Sequence, residues 1–168
     1  MLHLILYHPE IPQNTGNILR TAAVLNAHVH IIGPLPFALD NKSLQRAGMD
    51  YIDPRHFTYY PDYDTFAKKV PAEKIYYVTR YGNHIYTEVD FSQPLINHYL
   101  MFGRESTGID DQILRKYRER TLRIPMLATA RSLNLSNAVA IVAYEVMRQQ
   151  KFENLATQEQ LKGPNFLK

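Results

Sequence analysis

A chain of 168 residues, 45% hydrophobic and 21% charged, carries enough apolar content for one packed core, so a single globular domain is expected rather than a disordered segment. It holds no cysteine, which excludes disulfides, thiolate metal sites and a cysteine nucleophile. The formal net charge of +3 and the pI of about 9.0 hint at an anionic partner without defining one.

The opening 2–7 run is apolar and reads as a first strand, because it lacks both the basic leader and the cleavage site of a signal peptide. No apolar run approaches the ~20 residues of a membrane-spanning helix, so the cytoplasm is the expected location. Pro9 and Pro12 make 8–13 a loop, since neither can extend a strand ladder. A helix is expected to start in the 14–17 region, with Asn14 as its N-cap and Ile18, Ala22 and Leu25 on its apolar face. The 28–33 stretch reads as a second strand and 42–47 as a short helix ended by Gly48. The aromatic, proline-rich connection 50–64 yields no assignment.

Further along, 63–70 reads as helix, and 74–80 and 97–102 as strands. Next come a short helix over 110–117, a strand over 121–124 stopped by Pro125, and a long final helix over 132–150 capped from its first six residues. This alternation predicts an α/β fold: a mostly parallel sheet with helices on both faces and ligands at the carboxyl ends of the strands. The final helix is apolar over more than one stripe, so it is either enclosed by the core or shared between the core and a partner subunit. Residues 1–153 are expected to form the domain, and 154–168 a polar tail.

Three clusters place glycines and polar groups directly after an expected strand. In the first, Asn14-Thr15-Gly16-Asn17 leads to Arg20, an arginine able to turn toward an anion at the helix start. Alone, such an arginine is more often a surface ion-pair partner. The second, Phe102-Gly103-Arg104-Glu105 through Gly108, allows close backbone approach to a ligand but reads equally as a turn with a helix cap. The third runs from Ile124-Pro125-Met126 to Arg131-Ser132-Leu133-Asn134, where small polar side chains exceed what one cap requires.

Other chemistries find no support. Of seven histidines only His28 and His30 are close, with no third ligand nearby in sequence, so no metal is expected. There is no dinucleotide fingerprint, P-loop or nucleophile elbow. The tyrosines around 51–63 and 76–86 could stack on bases, although core packing and strand propensity explain most of them.

Taken in order, the three clusters resemble the three motifs of SPOUT-superfamily RNA 2′-O-methyltransferases. The stretch from Leu6 to Asn17 is most similar to the minimal tRNA (cytidine/uridine) wobble-position enzymes, the TrmL/YibK type. The resemblance implies a C-terminal trefoil knot and S-adenosylmethionine as cofactor, contacted by Val78, Thr79, Gly103, Ile124, Ser132, Leu133 and Asn134. It implies no metal, and it implies Arg20, Glu105 and Tyr144 as catalytic residues: Arg20 orienting the 2′-hydroxyl, Glu105 ordering the pocket, Tyr144 supporting activity unless it is merely a packed helix residue. It further implies a homodimer, formed through the last helix and the helix of Arg20. The expected partner is tRNA, with no membrane and no DNA. Asn14, Asn17, Arg20, Arg104 and Arg131 are expected to meet the RNA, on a basic surface to which Lys116, Arg118 and Arg120 also contribute.

Overall fold

The computed structural model describes residues 1–39 and 56–163; the short helix expected over 42–47 and the start of the 50–64 connection lie outside them. Strand β1 spans Leu2–Tyr7, helix α1 Pro12–Val24 and strand β2 His28–Ile32. Strand β3, Phe57–Tyr60, and helix α2, Tyr63–Ala67, follow. Then come β4 at Ile75–Val78, β5 at His84–Ile85 and β6 at His98–Phe102. Helix α3 at Asp111–Lys116, β7 at Thr121–Arg123 and α4 at Leu135–Gln149 complete the set. The sequence reading lacked β3 and β5, and its strand over 74–80 is shorter at both ends.

Among the described residues seven strands form one sheet in the order β3-β2-β1-β6-β4-β7-β5, with all neighbouring strands parallel. Side-chain alternation along β1 divides the core in two. Leu2, Leu4 and Leu6 face α1 and α4, where Ile18, Leu19, Ala22, Val139, Val142 and Val146 are fully or nearly fully buried. Ile5 and Tyr7 face the other layer with Phe66, Tyr77, Met101 and Leu114. Both faces are therefore covered, as a parallel sheet requires.

The two strands last in the chain each lie between earlier ones: β6 between β1 and β4, and β7 between β4 and β5. Backbone packs on backbone where β7 enters. The β4–β5 connection donates from Thr79 N to the Leu122 carbonyl at 2.9 Å and from Asn83 N to the Thr121 carbonyl at 3.1 Å. After α4, Leu155 still packs on the core, and 156–162 are exposed. Among the described residues no helix is long and apolar enough to cross a membrane.

One face of the sheet corrects the sequence view of the histidines. His3 pairs in register with His28, and its ring centroid lies 6.0 Å from that of His28 and 5.2 Å from that of His30. Both His30 nitrogens are engaged: His3 Nδ1 and His30 Nε2 are 3.0 Å apart, and His30 Nδ1 meets the Tyr60 hydroxyl at 3.1 Å, while His3 Nε2 is buried without a hydrogen-bond partner. Among the described residues no group of acidic, histidine or cysteine side chains is placed to hold a metal ion.

Burial pushes the pKa of His3 down to about 4 and that of His30 down to about 3, and the neighbouring imidazoles add to the effect. A base whose folded pKa is depressed binds fewer protons than the unfolded chain below pH 6.5, so its contribution is complete above 6.5 and is lost as pH falls toward 4 and 3. At pH 5 the loss for His30 alone is about 2 kcal/mol. The melting temperature is expected to fall steadily between pH 7 and 5, and to fall less in His30→Phe. A flat profile in the wild type would contradict this account.

Candidate active site

The three polar clusters meet at one end of the sheet, joined by a single hydrogen-bonded chain. Helix α1 begins with Pro12 at its first position and Ile11 as N-cap, and no side chain of its own caps it. The cap comes from Glu105, in the loop after β6. Its carboxylate accepts from Glu10 N at 2.8 Å, Ile11 N at 3.2 Å and Asn14 Nδ2 at 2.9 Å. A negative charge suits this position, where unpaired N–H groups and the helix dipole converge. Glu10 reciprocates by accepting from Ser106 N at 2.9 Å and Ser106 Oγ at 2.8 Å.

Asn14 carries the link onward. Its Oδ1 accepts from Asn134 Nδ2 at 3.0 Å, while Asn134 Oδ1 caps α4 by accepting from Ser136 N at 2.9 Å and Asn137 N at 3.4 Å. Asn14 is therefore not the N-cap of α1, the role the sequence reading gave it. Buried, with both ends of its amide engaged, it serves as a strut between loops.

The strut predicts a stability effect. Glu105→Ala strands the donors at the start of α1 and is expected to cost about 2 kcal/mol in urea unfolding. Glu105→Gln keeps one acceptor oxygen and should cost less. Equal stability of all three proteins would remove this role.

Around the chain of hydrogen bonds lies a cleft of about 510 Å³ at the carboxyl ends of β4, β6 and β7. Val78, Thr79, Gly103, Ile124, Ser132, Leu133 and Asn134 all border it, as do Asn14, Arg104 and Glu105. Apolar side chains such as Val78, Ile124 and Leu133 alternate there with hydroxyl, amide and backbone groups. That mixture suits a ligand with a flat apolar ring and polar edges.

Arg104 is held more firmly than a surface arginine. Its Nη2 lies 3.3 Å from Asp110 Oδ1, and its guanidinium carbon 5.4 Å from the Tyr7 ring centre. The Tyr7 hydroxyl donates to the other Asp110 oxygen. Burial, together with that carboxylate, raises the Tyr7 pKa well above the ordinary phenol value. The Arg104 Nε is buried with no hydrogen-bond partner.

The remaining expected residues lie off the cleft. Asn17 and Arg20 are exposed on α1, Tyr144 is 45% exposed on α4, and Arg131 is exposed in the loop before it. Arg120 is anchored on the sheet: its Nε donates to the Ile75 carbonyl at 2.9 Å, and its guanidinium sits 4.0 Å above the Tyr76 ring. Sequence reasoning missed Tyr7, Glu10 and Asp110, whose partners are distant in the chain.

The chain is similar to known RNA methyltransferases in sequence and fold. Residues 1–144 match the SpoU rRNA Methylase family. The tRNA (cytidine(34)-2′-O)-methyltransferase of Escherichia coli strain K12 is 42% identical over 150 residues, covering 89% of this chain and 94% of that protein. A solved structure described as giving insight into the 2-OH methylation of C/U34 on tRNA superposes with a TM-score of 0.78 at 40% identity, covering 90% of this chain and 91% of the other. The SpoU methyltransferase AviRb from Streptomyces viridochromogenes, in complex with the cofactor AdoMet, superposes with a TM-score of 0.73 at 28% identity, over 90% of this chain and 61% of that one. A matched family over 144 residues and a shared parallel sheet leave one conclusion: the chain belongs to the SpoU methylase family and has its α/β methyltransferase fold.

Proposed function

We propose that this protein transfers a methyl group from S-adenosylmethionine to the ribose 2′-oxygen of the wobble nucleotide, cytidine or uridine, of a tRNA, without a metal. The observation that carries the proposal is the convergence of all three motif clusters on one cleft, braced by Glu105, Asn14 and Asn134, in a chain 42% identical to an enzyme named for this reaction. The cofactor would supply an already activated methyl group. Val78, Thr79, Gly103 and Ile124 would hold its base through strand-end backbone groups, and Ser132, Leu133 and Asn134 its remainder.

What the chain must add is alignment and charge. Arg20 orients and polarises the 2′-hydroxyl. A guanidinium stays protonated, so the proton leaves to another acceptor. Glu105 is not that acceptor in this arrangement, because both its oxygens receive hydrogen bonds from the α1 start. It acts as a positioning residue. Arg104 and Arg131 border the expected RNA path, and Asn17 shares the exposed face of α1 with Arg20.

The active form is a homodimer, and the cytoplasm its location. Helices α1 and α4 pack side by side, and their outer surfaces carry Val24 (61% exposed), Ile141 (37%) and Tyr144 (45%). This apolar stripe supports burial against a second copy, and Tyr144 would act there as part of the interface. The trefoil knot also belongs to this proposal, supported by the entry of β7 between β4 and β5. Ile141→Glu is expected to shift sedimentation from dimer to monomer; an unchanged sedimentation coefficient would place the interface elsewhere.

The function is tested by transfer of labelled methyl from S-adenosylmethionine to total tRNA, with nuclease mapping of the product. Label on the wobble ribose is expected. Label on another nucleotide or on ribosomal RNA would revise the substrate, and failure to bind the cofactor would overturn the enzyme.

A further inference from the structure

Beside the cleft is a second pocket of about 420 Å³, lined by His8, Glu10, Pro34, Leu35, Pro36 and Arg104. It stands at the carboxyl ends of β1 and β2, on the same edge of the parallel sheet as the cleft. Arg104 borders both cavities. A ligand filling the second pocket is therefore one side chain away from the place where the methyl group would be presented.

The lining defines the kind of ligand. One wall is apolar, made by the two prolines and Leu35. His8 follows β1 with a φ of 51°, a left-handed turn that breaks the strand alternation, and its N–H is anchored on the Ile32 carbonyl at 2.9 Å. Burial and the positive charge of Arg104 lower the His8 pKa, which leaves its ring with one donor and one acceptor at neutral pH. Arg104 is locked by Asp110 and Tyr7 and retains a buried, unpartnered Nε–H. Arg104 lines the pocket as a cation with donors only, so it calls for an acceptor atom on the ligand. The Glu10 carboxylate on the rim argues against a phosphate. A flat neutral ring with carbonyl and amide edges suits the apolar wall, the imidazole and the guanidinium.

We propose that this pocket receives the base of the nucleotide being methylated, and that its occupant is a pyrimidine. Arg104 donates to the O2 carbonyl that cytosine and uracil share. His8, whose ring is held by the backbone of Gly33 and Pro34, stands at the edge where they differ. Adenine offers no carbonyl oxygen to Arg104. This inference rests on the reading of the adjoining cleft as the methyl-transfer site.

The test is a titration of protein saturated with S-adenosylhomocysteine, following the His8 ring proton by NMR and assigning it by its loss in His8→Gln. Cytidine and uridine 5′-monophosphates are expected to move this resonance saturably. Adenosine 5′-monophosphate and inorganic phosphate should bind at least ~10-fold more weakly, and Arg104→Lys should weaken cytidine monophosphate ~10-fold through loss of the planar fork. No movement at roughly 10 mM cytidine monophosphate, or an equal response to phosphate or to the adenosine nucleotide, would overturn the proposal. The readout is independent of methyl transfer. A protein that shows the expected shifts yet methylates no tRNA would refute the proposed function alone, and one that methylates the wobble ribose without the shifts would refute the base pocket alone.

Discussion

Gly103→Ala is expected to abolish cofactor binding and to destabilise the protein by about 3 kcal/mol. A Cβ at Gly103 would lie 2.2 Å from the carbonyl carbon of Gly108 and 2.4 Å from Ile109 N. Both are backbone atoms, and the loop that holds them is pinned by Arg104 N donating to Gly108 O at 3.2 Å and Gly108 N donating to Arg104 O at 2.9 Å. The loop can make room only by opening, which moves Glu105 away from the start of α1 and Arg104 away from Asp110. Gly108→Ala is the control. Its φ of 76° makes an alanine unfavourable, but a Cβ there meets nothing within 4 Å, so about 1 kcal/mol is expected. Calorimetric titration with S-adenosylhomocysteine and thermal melting of both variants decide the matter. Unchanged affinity in Gly103→Ala would show that the close approach is dispensable.

How far the fold could be read in advance depended on where each element finds its partners. Strands β1 and β2 were legible because a buried parallel strand is a continuous apolar run, and α4 because its apolar surface recurs at helical spacing. Strand β3 was not, since Phe57–Tyr60 is half exposed and sits among prolines and aspartates. Strand β5 is two residues long and owes its existence to β7, 38 positions away in register. The same distinction holds at the candidate site. The residues proposed around the cleft follow strand ends, where any parallel sheet places its ligands. Asn14 looked like a cap because its residue type suits one. The real cap is Glu105, 91 residues later, and no local pattern announces a partner at that separation. His3 joining His28 and His30 escaped for the same reason.

Arg20→Ala is expected to lower the rate of methyl transfer by about 10²–10³ while leaving the affinity for S-adenosylhomocysteine unchanged. The split follows from where the side chain sits. Arg20 is exposed on the outer face of α1 and does not border the cleft of its own chain, so its removal leaves the walls proposed to hold the cofactor intact. The charge that develops on the attacking ribose oxygen, by contrast, loses the cation proposed to orient it. Lysine restores the charge but lacks the planar fork, so Arg20→Lys should recover only part of the rate. Single-turnover transfer from labelled S-adenosylmethionine, measured beside the calorimetric affinity, separates the alternatives. A parallel fall in rate and cofactor affinity would make Arg20 a structural residue of the cleft. An undiminished rate would remove it from the chemistry and leave the orientation of the 2′-hydroxyl to Arg104, a cation held at the cleft wall by both a carboxylate and an aromatic ring.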